Sequence, residues 1–189
     1  MSWLYLTSGL FLGWSLGAND AANLFGTAVA TRMLKFRTAA LVGSVFVVLG
    51  ALAGAHGTTK TLGRLGAIDA PAGAFMVALA AALAVVLLLT RTSLPVSITQ
   101  AIVGAILGWN LFTGRPTDAK ALTQLLSSWL ISPLLAGAIA AGLFLLTRAW
   151  LQRRRVHLLE VDAWTRAALL AAGAFGAFGL GLNDIANVM

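Results

Sequence analysis

The sequence predicts an all-α integral membrane protein, a polytopic bundle of about six hydrophobic segments. Three observations predict it. Hydrophobic residues make up 59% of the 189-residue chain and charged residues only 10%, where a soluble domain carries about 25% charged residues. Stretches approaching the roughly 20 apolar residues that a spanning helix needs recur along the whole chain. The thirteen Lys and Arg residues fall between those stretches or at their ends, as membrane topology requires.

The first segment covers roughly 3–31. It follows Met1-Ser2-Trp3-Leu4-Tyr5 with no basic leader, so a cleaved signal peptide is not expected and the segment should be retained. Segments near 38–55 and 70–90 follow, separated by Arg32–Arg37 and by the His56–Asp69 loop. The fourth, 93–112, opens Ser93-Leu94-Pro95-Val96-Ser97-Ile98-Thr99-Gln100. Pro95 lacks a backbone donor and disfavours helix at Leu94, so a helix is expected to restart near Pro95. The segment either spans or is re-entrant. The fifth covers 125–147 and the sixth 163–187. Trp3, Tyr5, Trp109, Trp150 and Trp164 lie near segment ends, where amphipathic rings favour the headgroup region.

If all six segments cross, Arg32, Lys35, Arg37, Arg91, Arg148, Arg153, Arg154 and Arg155 share one side. Lys60, Arg64, Arg115 and Lys120 share the other. The richer side is expected in the cytoplasm and the N-terminus outside. The net charge of +7 is thereby a topology signal, and no nucleic-acid partner is expected. Without cysteine, disulfide and thiolate chemistry are excluded.

One motif, G-x-N-D-x-A-N, occurs at Gly17–Asn23 and again at Gly181–Asn187. At the same offset of 164, Gly9 matches Gly173, Phe11 matches Phe175 and Leu16 matches Leu180. The second copy comes five segments after the first if the fourth spans. An odd number makes the second copy enter from the opposite face, the architecture of inverted-repeat transporters with broken or re-entrant helices. An even number would leave the copies parallel. The expected organisation is a first repeat over 1–147, a basic cytoplasmic loop over 148–162, and the start of a second repeat over 163–189. The second copy stops soon after it begins, so a fragment is expected, its complete form about twice the offset in length.

Asp20 and Asp184 are the acidic residues deep within apolar segments, and an intramembrane carboxylate is costly enough to suggest function. On a helix Asn19, Asp20 and Asn23 can converge on one site, and Asn183, Asp184 and Asn187 repeat the set. Carboxylate and amide oxygens suit Na⁺ or another hard cation, with Asp20, Asn23, Asp184 and Asn187 as its expected ligands. Interhelical hydrogen bonding that merely holds the bundle is the bland alternative. Ser97, Thr99 and Gln100 lie at a helix start, where free N–H groups and the dipole favour an anion. A plain Ser/Thr cap is the alternative there. No Lys or Arg sits deep in a segment, so an anion passing Asp20 would need a cation or proton beside it. Small-xxx-small patterns such as Gly9/Gly13/Gly17 and Gly50/Gly54 are assigned to close helix packing.

Gly17-Ala18-Asn19-Asp20-Ala21-Ala22-Asn23-Leu24-Phe25-Gly26-Thr27-Ala28-Val29 resembles the signature of the PiT family of inorganic phosphate transporters. Leu94-Pro95-Val96-Ser97-Ile98-Thr99-Gln100-Ala101-Ile102-Val103-Gly104-Ala105 is similar to that family's second signature, and Gly181–Asn187 to the start of its second repeat. The resemblance implies symport of inorganic phosphate with Na⁺ or H⁺ through two inverted repeats. It implies that the N-D-x-x-N groups serve the cation and that Ser97, Thr99 and Gln100 serve phosphate. No organic cofactor and no enzymatic activity are implied. The expected setting is the plasma membrane, the inner membrane of a prokaryote, as a multi-pass protein in the lipid bilayer, with a homodimer as the candidate assembly. Ile98 departs from the family's usual Thr, which leaves a sulfate permease of the same architecture as an alternative. The second Ser-Thr signature is absent, so this chain alone is not expected to transport. An intramembrane aspartyl protease is the remoter alternative. Against it, Asn flanks each Asp, which suits ion ligation better than a shared proton.

Overall fold

The computed structural model describes residues 4–54, 65, 68, 71–153 and 157–184. Six α-helices occupy them. They are α1 Leu4–Ala30, α2 Phe36–Gly54, α3 Pro71–Thr92, α4 Ile98–Thr113, α5 Ala119–Arg153 and α6 Leu158–Asp184. Each expected segment has become a helix, and four helices are long and apolar enough to cross a membrane.

Local chemistry fixes the ends. After α1, Arg32 takes φ 59 and the Leu34 N–H returns to the Ala28 carbonyl at 3.0 Å. Thr92 closes α3 by donating its hydroxyl to the Leu88 carbonyl at 2.7 Å. The same hydroxyl accepts from the Leu94 N–H at 3.2 Å. The helix then restarts at Ile98 rather than at Pro95, because Ser97 (φ −77, ψ 113) is the N-cap. α4 ends on Gly114, whose φ of 68 is a left-handed conformation that costs an L side chain about 1–2 kcal/mol. Asp118 starts α5 by accepting from the Lys120 and Ala121 N–H groups at 2.9 and 3.1 Å. α5 runs well past the apolar stretch 125–147 at both ends, and α6 starts at Leu158. Much of the expected 148–162 loop is therefore helical. Arg and Gln are good helix formers whether or not they are apolar, so hydropathy alone sets these boundaries too tightly.

α1, α3 and α4 build one packed layer. Leu12 and Leu16 of α1 meet Val77, Ala81 and Val85 of α3 and Ile102, Val103 and Ile106 of α4. At 16 residues, α4 spans about 24 Å, short of the ~30 Å hydrocarbon core. The non-helical residues 93–97 precede it, Ser93 with φ 55 and Ser97 extended. A Cβ on Gly73 would lie 2.8 Å from the Trp109 ring, so α4 returns to the level at which α3 begins. The fourth segment thus runs back along the third, the two forming a helical hairpin.

α2 and α6 share the most extensive interface, and it is backbone on backbone. A Cβ on Gly50 would overlap the Phe178 carbonyl, and one on Gly181 would overlap the Val47 carbonyl. Small residues permit this approach, which supplies the van der Waals contact that associates helices in lipid. α1 crosses α6 in reverse order. Arg166 donates to the Met33 carbonyl at 2.7 Å, Gly173 lies against the Phe25 ring and Gly176 against Leu24. Farther along, Asp20, bonded by Asn19, and Asp184, bonded by Thr99, both lie at the break before α4. Each step back along α1 is a step forward along α6. The two helices carrying the motif therefore run in opposite directions.

Candidate functional site

Non-helical backbone at membrane depth needs polar partners, and residues 93–97 are such a stretch. Asn19 provides the partner. It is 1% exposed, and its amide Nδ2 donates to the Val96 carbonyl while its Oδ1 accepts from the Val96 N–H at 2.9 Å. The side chain thus pairs with Val96 as a neighbouring strand would. Its Nδ2 also donates to Asp20 Oδ1 at 2.9 Å, which fixes that carboxylate relative to the helix break. Asn23 sits one turn on and donates to the same oxygen at a weak 3.5 Å.

From the other side, Thr99 in the first turn of α4 donates its hydroxyl to Asp184 Oδ1 at 3.3 Å. Asp184 comes from the second motif copy, 85 residues away in sequence. Asp20, Asn23, Thr99 and Asp184 are thereby gathered at the break before α4. Ser97 accepts from the Gln100 N–H at 3.3 Å as the helix cap. Gln100 and Asn183 are exposed. Ile98 is 3% exposed and packs in the core. Asn187 lies outside the described residues, as do Lys60 and Arg64.

Among the described residues no three His, Cys, Asp or Glu side chains gather. The donors at the break are carboxylate, amide and hydroxyl oxygens, which suit a hard monovalent cation better than a transition metal. Two carboxylates within reach of each other's field repel, and a cation between them relieves that repulsion. Beside them lies the N-terminus of α4, whose dipole favours an anion. An apolar groove lined by Thr147, Trp150, Trp164 and Thr165, between α5 and α6, is separate from this cluster.

Helical spacing grouped Asn19 with Asp20 and Asn23, but its partner Val96 could not be read from spacing. Asn110 was missed altogether. It is 1% exposed, donating to the Leu65 carbonyl at 3.1 Å and to Thr117 Oγ1 at 3.0 Å. The signal available was an amide inside an otherwise apolar run.

A model of the phosphate transporter family matches residues 16–189. The chain belongs to the phosphate transporter family. It is 34% identical over 168 residues to a sodium-dependent phosphate transporter of Plasmodium falciparum, covering 82% of this chain and 25% of that one. Sodium-dependent phosphate transporter 1 of Mus musculus is 33% identical over 156 residues, covering 73% of this chain and 22% of its own. A relative from Methanocaldococcus jannaschii is 28% identical over 186 residues, covering 98% of this chain and 58% of its own length. The solved structure of a sodium-dependent phosphate transporter has the same fold, with a TM-score of 0.71 at 23% identity over 97% of this chain and 58% of that one. The chain thus spans between about a fifth and three-fifths of the length of these relatives. Family membership makes this a multi-pass membrane protein of a transporter family, and not an enzyme.

Proposed function

We propose that this chain forms the first repeat, and the beginning of the second, of an inverted-repeat symporter that carries inorganic phosphate with Na⁺ across the plasma membrane. The carrying observation is the hydrogen bond from Thr99 to Asp184, which brings the helix start of the Ser-x-Thr-Gln stretch onto the second motif copy beside Asp20. The reverse order of the α1–α6 contacts supports the inverted arrangement. The sodium-dependent relatives support Na⁺ over H⁺ as the coupling ion.

Asp20, Asn23 and Asp184, with Asn187, hold the cation. Asn19 and Asn183 position their neighbouring carboxylates and add amide oxygen. Ser97, Thr99 and Gln100 seat phosphate at the N-terminus of α4, where the helix dipole offsets its charge. A phosphate anion beside two carboxylates is repelled unless a cation lies between them, so binding of one favours binding of the other. That mutual dependence is the coupling, and thermodynamic linkage makes it reciprocal. The test is labelled-phosphate uptake by the complete transporter in proteoliposomes under imposed Na⁺ and H⁺ gradients. Na⁺-driven uptake abolished by Asp20→Ala is expected. Uptake that ignores both gradients, or that survives Asp20→Ala undiminished, overturns the mechanism. Competition by excess sulfate would instead favour the sulfate reading.

A further inference from the structure

α5 stands away from the rest of the bundle. Its membrane stretch is exposed throughout, and although α6 follows it directly, the two helices do not pack along their length. Trp150, Leu151 and Trp164 stand where close packing in lipid needs small side chains. Between the helices lies a groove of about 420 Å³, within the ordinary size range of a ligand pocket. Thr147, Trp150 and Leu151 form one wall, and Trp164, Ala168 and Leu169 the other. Two hydroxyls line it, and both are bonded within their own helices. Thr147 donates to the Leu143 carbonyl at 2.8 Å and Thr165 to the Val161 carbonyl at 2.7 Å. Apart from the two indole N–H groups the lining is apolar, so it suits hydrocarbon better than a polar solute.

The mouth of the groove is basic. Arg153, one turn beyond Trp150, lines the adjoining hollow on α5 together with that tryptophan. Arg148 is exposed nearby, and among the described residues neither arginine is ion-paired. Of the carboxylates at this end, Asp162 is taken by Arg166 at 2.7 Å, and Glu160 is exposed in the first turn of α6. Arg166 also donates to the Met33 carbonyl, which sets this end level with the turn that carries Arg32 and Lys35. The amphipathic rings of Trp150 and Trp164 favour the headgroup region. An apolar cleft beneath a cationic rim matches a molecule with a hydrocarbon body and an anionic head. We infer that the α5–α6 groove binds an anionic phospholipid, its acyl chain between Trp150, Leu151, Trp164 and Leu169 and its phosphate at Arg153. Free inorganic phosphate shares the head but leaves the apolar walls unmet. The groove is separate from the Asp20–Asp184 cluster, and its occupancy does not depend on the transport reading.

Native mass spectrometry reads bound lipid directly, for the complete transporter and for this chain, each released from bilayers of equal phosphatidylglycerol and phosphatidylcholine. Retention of phosphatidylglycerol over phosphatidylcholine is expected in both. Losing one cationic contact at the membrane surface weakens an anionic lipid about fivefold, and Arg153→Gln should lower retention on that scale. Arg91→Gln, which removes an exposed charge outside the groove, should leave it unchanged. Ala168→Trp fills the groove and should expel the lipid with Arg153 intact. Excess inorganic phosphate should not displace it. Equal retention in wild type and Arg153→Gln overturns the inference. An equal fall in Arg91→Gln also overturns it, by assigning the selectivity to diffuse surface charge. Displacement by inorganic phosphate, or undiminished retention in Ala168→Trp, takes the acyl chain out of the groove and overturns it as well. So does a complete transporter that retains no phosphatidylglycerol. Phosphate uptake is read separately, and its absence with lipid retained sinks the transport reading only.

Discussion

Asn19→Ala is the most informative single change. The asparagine amide accepts from the Val96 N–H at 2.9 Å and donates to the Val96 carbonyl, so truncation strips both groups of that partner at once. A buried backbone group left unpaired costs about 1–3 kcal/mol. Val96 is only half-buried, so water can replace part of the loss, and the sum is about 2–4 kcal/mol. Denaturation of the chain in mixed micelles by SDS reads that number. Hydrogen exchange at the Val96 amide locates it, with protection there expected to fall. Asn19→Asp retains the acceptor for the Val96 N–H but cannot donate to the carbonyl, and should fall between wild type and Asn19→Ala. A loss below about 0.5 kcal/mol, the scale of an ordinary surface substitution, with Val96 still protected, would refute the argument that Asn19 holds the helix break.

Three further outcomes follow from the same contacts. Gly50→Ala places a Cβ into the Phe178 carbonyl and should cost about 1–3 kcal/mol by SDS titration. The cost arises even though Ala is intrinsically the better helix former. Arg166→Ala unties the α1–α2 turn from α6, and deuterium exchange at residues 31–35 should rise. Asp162→Ala leaves the Arg166–Met33 contact in place and should raise that exchange less. Thr99→Val removes the hydroxyl donated to Asp184. A hydrogen bond to a charged group is worth about 1.5–3 kcal/mol, so uptake by the complete transporter at low phosphate should fall about tenfold or more. Thr99→Ser should restore most of it, and equal uptake in all three proteins would detach Thr99 from the site.

The helices were legible because membrane helices advertise themselves by apolar length, and the motif pair was legible because polar groups are rare in that setting. Their ends were less so. Hydropathy cannot see that α5 continues through Lys120 and Arg153, since charged residues leave the bilayer without leaving the helix. The restart at Ile98 turned on a cap, Ser97, whose type was visible but whose geometry was not. Spacing within α1 correctly put Asn23 beside Asp20. It could not reveal that Asn19 faces Val96, 77 residues away, or that Thr99 meets Asp184. Such pairings depend on how helices cross, and crossings are decided by close approaches such as Gly50 and Gly181 that no local pattern orders.

The meeting of Asp20 with Asp184 has a geometric consequence. In the inverted-repeat arrangement proposed above they are equivalent positions, so the pseudo-two-fold axis relating the copies would pass between them. A point on such an axis maps onto itself. If the two copies of such a symporter exchange shapes to open the protein first to one side and then to the other, every residue off the axis would travel, while an ion held on the axis would stay where it is. The walls would change places around a stationary passenger. The load would then be released by a change in which water reaches it, with no need for the carboxylates to carry it across.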